Sequence, residues 1–118
     1  MRVHHLALRV ADVERSAAFY AGVLGLAECR RLPAEDGSLR SVWLEADGVL
    51  LMLERRLRGA GAEEGTGHVL AFAVDDLPSW EARLRAAGVT VEDRTAHTLF
   101  VRDPDGHRVG LSKHPGGP

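Results

Sequence analysis

The stretch HHLALRVADVERSAAFYAGVLGL, residues 4–26, carries the signals that decide the fold. Its first part alternates between apolar positions and a second set of residues, and this period of two predicts a strand with two distinct faces. The apolar set is Leu6, Leu8 and Val10, and the second set is His5, Ala7 and Arg9. One face of this strand is therefore expected to pack in a core, and the other to carry the residues available for function.

The same stretch continues into a helix. Asp12 is a typical N-cap, apolar residues then recur at helical spacing, and Gly25 favours the left-handed conformation in which helices end, so a helix is predicted over residues 13–24. Three strand-like runs follow, which are residues 26–32, 39–46 and 49–54. Asp47 and Gly48 separate the last two runs and form a strong signal for a hairpin turn. The first half therefore reads β-α-β-β-β.

The second half repeats this pattern. Five residues recur at a spacing of 64: Leu6, Ala7, Leu8, Val10 and Asp12 match Leu70, Ala71, Phe72, Val74 and Asp76. The second copy is predicted as a strand over 68–74, a helix between Asp76 and Gly88, and strands over 89–93, 98–102 and 107–112. Asp105 and Gly106 join the last two of these strands and match Asp47 and Gly48 at a spacing of 58.

The duplication predicts an α+β fold of two paired β-α-β-β-β modules in a single domain over 1–118. Module one is expected at 1–54, a linker at 55–66, module two at 67–113 and a tail at 114–118. Each module has one helix for four strands, so the helix can cover only one face of its sheet. Two such sheets are predicted to form an open, curved cleft.

The composition excludes several classes of partner. The 118 residues fit one domain, and a net charge of -2 offers no broad basic face for nucleic acid. No apolar run approaches the roughly 20 residues that span a bilayer, and the N-terminus lacks the apolar core of a signal peptide. The single cysteine, Cys29, cannot form an internal disulfide, in keeping with a reducing compartment. We therefore expect a cytoplasmic protein that binds neither nucleic acid nor membrane.

Three segments resemble the vicinal oxygen chelate superfamily, which includes glyoxalase I, extradiol dioxygenases, fosfomycin-resistance enzymes and bleomycin-resistance proteins. They are HHLALRVADVERSAAFYAGVLGL at 4–26, HVLAFAVDDL at 68–77 and FVRDPDGHRVGLS at 100–112. The resemblance covers nearly the whole chain and implies the same paired-module fold. Membership of this superfamily does not define a reaction, because the fold hosts several chemistries and some pure binders.

The resemblance also implies four positions at which metal-dependent members place ligands. His5 matches the first position, whereas the other three fall at Met52, Val69 and Gly110. A catalytic metal site usually has at least three protein ligands, so a single imidazole is too few. We therefore expect no metal and no other cofactor. The alternative is a site rebuilt around His5 with donors from His68, Glu54 and His107.

A small organic ligand is expected on the strand positions that alternation and the duplication place in the cleft. The predicted ligand-binding residues are His5, Ala7, Arg9, Trp43, Met52, Val69, Ala71 and Gly110. Trp43 is the least defined of these, because the sequence does not fix the register of its hairpin. Leu50 and Met52 are apolar strand residues expected to be exposed, and their burial between subunits predicts a homodimer.

Two functions are favoured at this level over a third, an interaction module without a ligand, because the predicted fold leaves a concave surface that a ligand would fill. The first is a metal-free small-molecule-binding or resistance-type protein, similar to the bleomycin-resistance proteins, that sequesters its ligand. The second is an enzyme, either a metal-dependent lyase, isomerase or dioxygenase with a rebuilt site around His5, or a metal-free lyase or isomerase with His5 as general base.

Overall fold

The computed structural model describes residues 1–57, 68–113 and 115. The chain divides into two compact units, Met1–Ala60 and Gly61–Pro118. Most of the predicted linker and all of the predicted tail except Pro115 lie outside the described residues.

The first unit is a four-stranded mixed sheet with one helical segment. Its elements are β1 (His5–Arg9), α1 (Val13–Ala17) continued by a π-helical segment (Ala18–Val23), β2 (Ala27–Pro33), β3 (Leu39–Ala46) and β4 (Val49–Glu54). The strand order is β1-β4-β3-β2, with β1 parallel to β4 and the other pairs antiparallel. The predicted β-α-β-β-β order of module one is confirmed.

The second unit repeats this topology. Its elements are β5 (Leu70–Ala73), α2 (Leu77–Ala86), β6 (Asp93–Arg94), β7 (Thr98–Arg102) and β8 (Arg108–Ser112). The strand order β5-β8-β7-β6 matches that of the first sheet, and β5 is parallel to β8 as β1 is to β4. The predicted strand at 89–93 is wrong in extent: the Val89 N–H donates to the Leu84 carbonyl at 2.8 Å, so this residue completes the end of α2 instead.

Two helix caps and one hairpin turn form where the sequence predicted them. The Asp12 carboxylate accepts a hydrogen bond from the Arg15 N–H at 3.1 Å, and Asp76 caps α2 in the same way through Ser79 at 3.2 Å. Asp47 and Gly48 both have positive φ, 50° and 85°, as a two-residue hairpin turn requires.

The predicted helix over 13–24 is α-helical only over Val13–Ala17. From Ala18 it is a π-helix, and the Leu24 N–H donates to the Phe19 carbonyl, five residues back, at 3.0 Å. Consecutive residues rotate less around the axis of a π-helix than around that of an α-helix. Phe19 and Tyr20 are consequently both buried, with their rings edge to face at 5.1 Å between centroids.

In each unit the core lies on one face of the sheet, the face towards the unit's own helix. In the first unit, Leu8 pairs with Leu53, and Leu53 with Val42, and all three are buried. In the second, Val109 pairs with Val101 and both are fully buried. The alternate residues lie on the opposite face, which we call the helix-free face of each unit.

Candidate functional site

The strand register assembles rows of side chains across the helix-free face of each sheet. In the first unit, Ala7 pairs with Met52, and Met52 with Trp43, so the three lie side by side on β1, β4 and β3. The register of Trp43, which the sequence leaves open, is thereby defined. We call this set the first platform.

The second unit contains the equivalent row. Ala71 pairs with Gly110, and Gly110 with Phe100, on β5, β8 and β7. We call this set the second platform. Each platform therefore consists of an alanine, a central residue on the last strand and an aromatic residue. Phe100 was not among the predicted residues, because the repeat spacing of 58 leads from Trp43 to Val101, and only the strand register makes Phe100 the equivalent of Trp43.

Gly110 leaves the centre of the second platform without a side chain. A Cβ at this position would lie 3.4 Å from the Ala71 Cβ, 3.4 Å from the Thr98 Cγ2 and 3.5 Å from the Val69 Cγ1. These are contacts with residues of the helix-free face, so position 110 points towards that face. Val69 lies just before β5 and is exposed.

An arginine lies against the aromatic ring of each platform. The Arg30 guanidinium is 5.3 Å from the Trp43 ring centroid, and that of Arg108 is 4.3 Å from the Phe100 centroid. Both distances fall within the range of cation–π attraction. Arg108 also forms an ion pair with Asp93 at 3.2 Å, which limits the movement of its guanidinium.

His5 and Arg9 lie on the same face as the first platform, one step to either side of Ala7. His5 pairs with Leu50, is exposed and has its Nδ1 2.9 Å from the Nδ1 of His4, so one imidazole donates to the other. Arg9 pairs with Glu54, and its guanidinium donates to the Leu57 carbonyl.

A pair of hydrogen bonds to the Glu54 carboxylate, next to the first platform, was not predicted. The Ser41 hydroxyl donates to Glu54 Oε2, and the Trp43 indole N–H donates to Oε1 at 3.3 Å. Ser41 is fully buried and Glu54 half-buried. The sequence indicated Glu54 only as a candidate metal donor, because cross-strand hydrogen bonds require a known register.

Two predictions about burial need correction. Met52 was expected to be exposed but is only 9% exposed, and Leu50 is half-buried. Met52 lies on a central strand between Ala7 and Trp43, and neighbours on both sides cover part of a side chain in such a position.

The residues at the implied metal positions do not fit a divalent cation. The first platform offers a thioether at Met52 and the second no side chain at Gly110, whereas catalytic divalent ions need several nitrogen or oxygen donors. Over residues 1–57 and 68–113, no three His, Cys, Asp or Glu side chains are grouped to hold a metal.

Neither helix of the described segments is long and apolar enough to cross a bilayer.

Comparison with known proteins gives consistent matches over most of the chain. A family model described as "Glyoxalase/Bleomycin resistance protein/Dioxygenase superfamily" matches residues 2–111. A probable lactoylglutathione lyase of Vibrio cholerae serotype O1 is 32% identical, covering 93% of this chain and 88% of the relative. The metallothiol transferase FosB of Bacillus licheniformis is 28% identical, covering 92% and 73%, respectively.

Solved structures share the fold. TnmS3, described as an antibiotic binding protein from Streptomyces sp. CB03234, superposes with a TM-score of 0.73 at 26% identity, covering 95% of this chain and 94% of that one. A lactoylglutathione lyase from Agrobacterium tumefaciens gives a TM-score of 0.72 at 23% identity, covering 94% and 92%.

Proposed function

Because the chain belongs to the glyoxalase/bleomycin resistance protein/dioxygenase superfamily, we propose that the platform of each unit can bind a small, flat organic molecule, which the protein sequesters. The observation that carries this proposal is the pairing of small residues with an aromatic residue in both units: Ala7 with Trp43, and Ala71 with Phe100. Aromatic rings stack on planar ligands, and small neighbours leave room for the ligand beside the ring.

The chemistry of the platforms supports binding without a metal. Met52 is polarisable and adaptable, as is typical of surfaces that accommodate apolar ligands. His5 and Arg9, on either side of the first platform, can donate hydrogen bonds to a polar part of the same ligand. The antibiotic binding protein TnmS3, with the same fold, is a precedent for such a role.

The experiment is a binding screen with planar organic compounds, detected by quenching of tryptophan fluorescence. Isothermal titration calorimetry then measures the affinity of each hit for the variants, because Trp43 is itself the fluorescent reporter. Replacement of Trp43 by Ala should weaken binding of any hit at least tenfold, about 1.4 kcal/mol. Replacement of Trp80, which lies on α2, by Ala is the matched control and should not. Recovery of the compound unchanged after prolonged incubation would support sequestration, whereas a converted product would contradict it.

The relatives favour one alternative, a metal-dependent enzyme. Several similar chains are lactoylglutathione lyases, and His5 is retained at the first ligand position that the resemblance implies. Lactoylglutathione lyase activity with added Ni²⁺ or Zn²⁺, lost on replacement of His5 by Ala, would favour this alternative. Metal-independent turnover abolished by the same replacement would instead identify His5 as a general base.

We further propose that the protein works in the cytoplasm as a homodimer. The single cysteine, Cys29, is exposed and free, in keeping with a reducing compartment. Leu50 and Val69 add apolar surface to the helix-free faces, and self-association would bury such surface. Sedimentation at micromolar concentration should give the mass of two chains, and a single-chain mass would refute the dimer.

A further inference from the structure

We propose that Glu54 recognises an N–H donor on the ligand that occupies the first platform. This inference rests on the proposed function and deepens it, because it defines the ligand as a flat ring compound that carries an amine or amide N–H. The argument comes from how the carboxylate is held and from what replaces it in the second unit.

The carboxylate of Glu54 is held in position by side chains from β3. The buried Ser41 hydroxyl donates to one oxygen, and the Trp43 indole N–H donates to the other. A carboxylate has roughly four acceptor positions, so these two bonds leave capacity for further donors. A half-buried carboxylate held in this way is an acceptor with a defined direction, and preorganised acceptors discriminate between ligands.

The second unit provides an internal comparison. Thr98 and Ser112 have the register positions of Ser41 and Glu54, and their hydroxyl oxygens are 2.8 Å apart. Hydroxyl groups both donate and accept, so this pair does not select for donors. The duplicated framework can therefore be built without a carboxylate at this position. Glu54 is an addition to the framework of the first unit and not a requirement of the fold.

The position of Glu54 matches a ligand on the first platform. Glu54 and Met52 are two residues apart on the same face of β4, about 7 Å along the strand. Trp43 belongs to both sets, since its ring lies in the platform and its indole N–H contacts Glu54. A fused two-ring compound stacked on Trp43 would thus bring an exocyclic group to the carboxylate.

The neighbouring Arg9 determines which property of the ligand is selected. It pairs with Glu54 in the register and places a positive charge on the same face. Its charge is opposite to that of the adjacent Glu54 carboxylate, so the selection acts on hydrogen-bond donors rather than on net charge. The preferred ligand is therefore a neutral ring compound with an N–H group.

The test uses two probes of equal shape, 6-aminoquinoline and 6-methylquinoline, both uncharged at pH 7.5. Binding is measured by fluorescence in a Trp80→Phe background, in which Trp43 is the sole tryptophan. We expect the amino compound to bind about tenfold more tightly, as is typical of a hydrogen bond to a charged acceptor. Glu54→Gln should reduce this preference to about twofold or less and leave the methyl compound unaffected.

Two further variants distinguish a specific loss of the preference for the amine from a general change in the structure. Trp43→Phe keeps the aromatic ring but removes the indole N–H and the fluorescent reporter, so its binding is measured by isothermal titration calorimetry. It should retain both probes and show a reduced preference for the amine. Ser112→Ala removes the equivalent hydroxyl pair of the second unit and should leave the preference unchanged. Circular dichroism of each variant verifies that the chain is folded.

The outcomes distinguish this inference from the proposed function. Equal binding of the two probes, or a preference that survives Glu54→Gln, would overturn the role of Glu54 while leaving the platform in place. Failure of both probes to quench Trp43 at millimolar concentration would contradict both proposals.

Discussion

Met52 in β4 and Gly110 in β8 occupy equivalent positions in the two sheets, each between an alanine on the parallel neighbour and an aromatic residue on the antiparallel neighbour. The two units therefore share a framework but differ in the volume at its centre. One platform has a flexible thioether there, and the other has only backbone. This difference leads directly to the first prediction.

A bulky residue at position 110 should block ligand binding without unfolding the protein. The Cβ of residue 110 has ordinary contact distances to the side chains of the helix-free face, so an indole attached to it would cover Ala71. We expect Gly110→Trp to weaken ligand binding at the second platform at least tenfold, about 1.4 kcal/mol, with Gly110→Ala as the mild control. Unfolding of the Trp variant would show that position 110 points into the core, and unchanged affinity would place the ligand elsewhere.

The donor set predicts weak metal binding. With Met52 and Gly110 at two of the implied ligand positions, elemental analysis of the purified protein should find no stoichiometric Zn, Ni, Mn or Fe. Titration with Ni²⁺ or Zn²⁺ should give little change in unfolding temperature, because a ligand stabilises the fold only when its concentration exceeds its dissociation constant. About one metal ion per chain, lost in His5→Ala, would reverse this conclusion.

Truncation of a side chain on the core face of β4 should lower the free energy of unfolding more than truncation of one on its helix-free face. Leu53 is fully buried between Leu8 and Val42, so Leu53→Ala should lower the free energy of unfolding by about 2–5 kcal/mol. Leu50→Ala removes the same atoms from a half-buried position and should cost less than half as much. Urea denaturation measures both values, and equal losses would contradict the assignment of faces.

The ion pair between Glu81 of α2 and Arg94 of β6 should weaken in acid. The Arg94 guanidinium donates to Glu81 at 2.7 and 3.1 Å, and these bonds lower the pKa of Glu81 below its ordinary value of 4.5. A carboxyl with a lowered pKa in the folded state contributes stability above pH 4.5, and this contribution disappears as the pH falls through the folded value.

Glu81→Gln removes this titration, so the variant should lose less stability than the wild type between pH 6 and about pH 3. The effect should be small, because the pair is at the surface. Arg85→Gln is the matched control, since its guanidinium is 3.9 Å from the same carboxylate. Parallel pH profiles for the wild type and Glu81→Gln would show that the ion pair does not contribute.

The amino-acid sequence by itself determined the duplicated fold and the division of each strand into two faces. Alternation in β1 and the match between Leu6 and Leu70 are local or periodic properties, and they remain the same whatever partner the strand meets. The match of the family model and the common strand order of the two sheets confirm this part of the analysis. Position 110 was likewise assigned to the functional face of its strand from alternation together with the duplicated register.

Only the tertiary structure decided which residues lie side by side. Trp43 opposite Met52, and Ser41 bonded to Glu54, depend on the hairpin register, which alternation restricts to a parity but does not define. The π-helical segment from Ala18 and the short extent of β6 were likewise not indicated by the spacing of apolar residues. The sequence therefore indicates the residues of the platforms, and the register that packing selects brings them together.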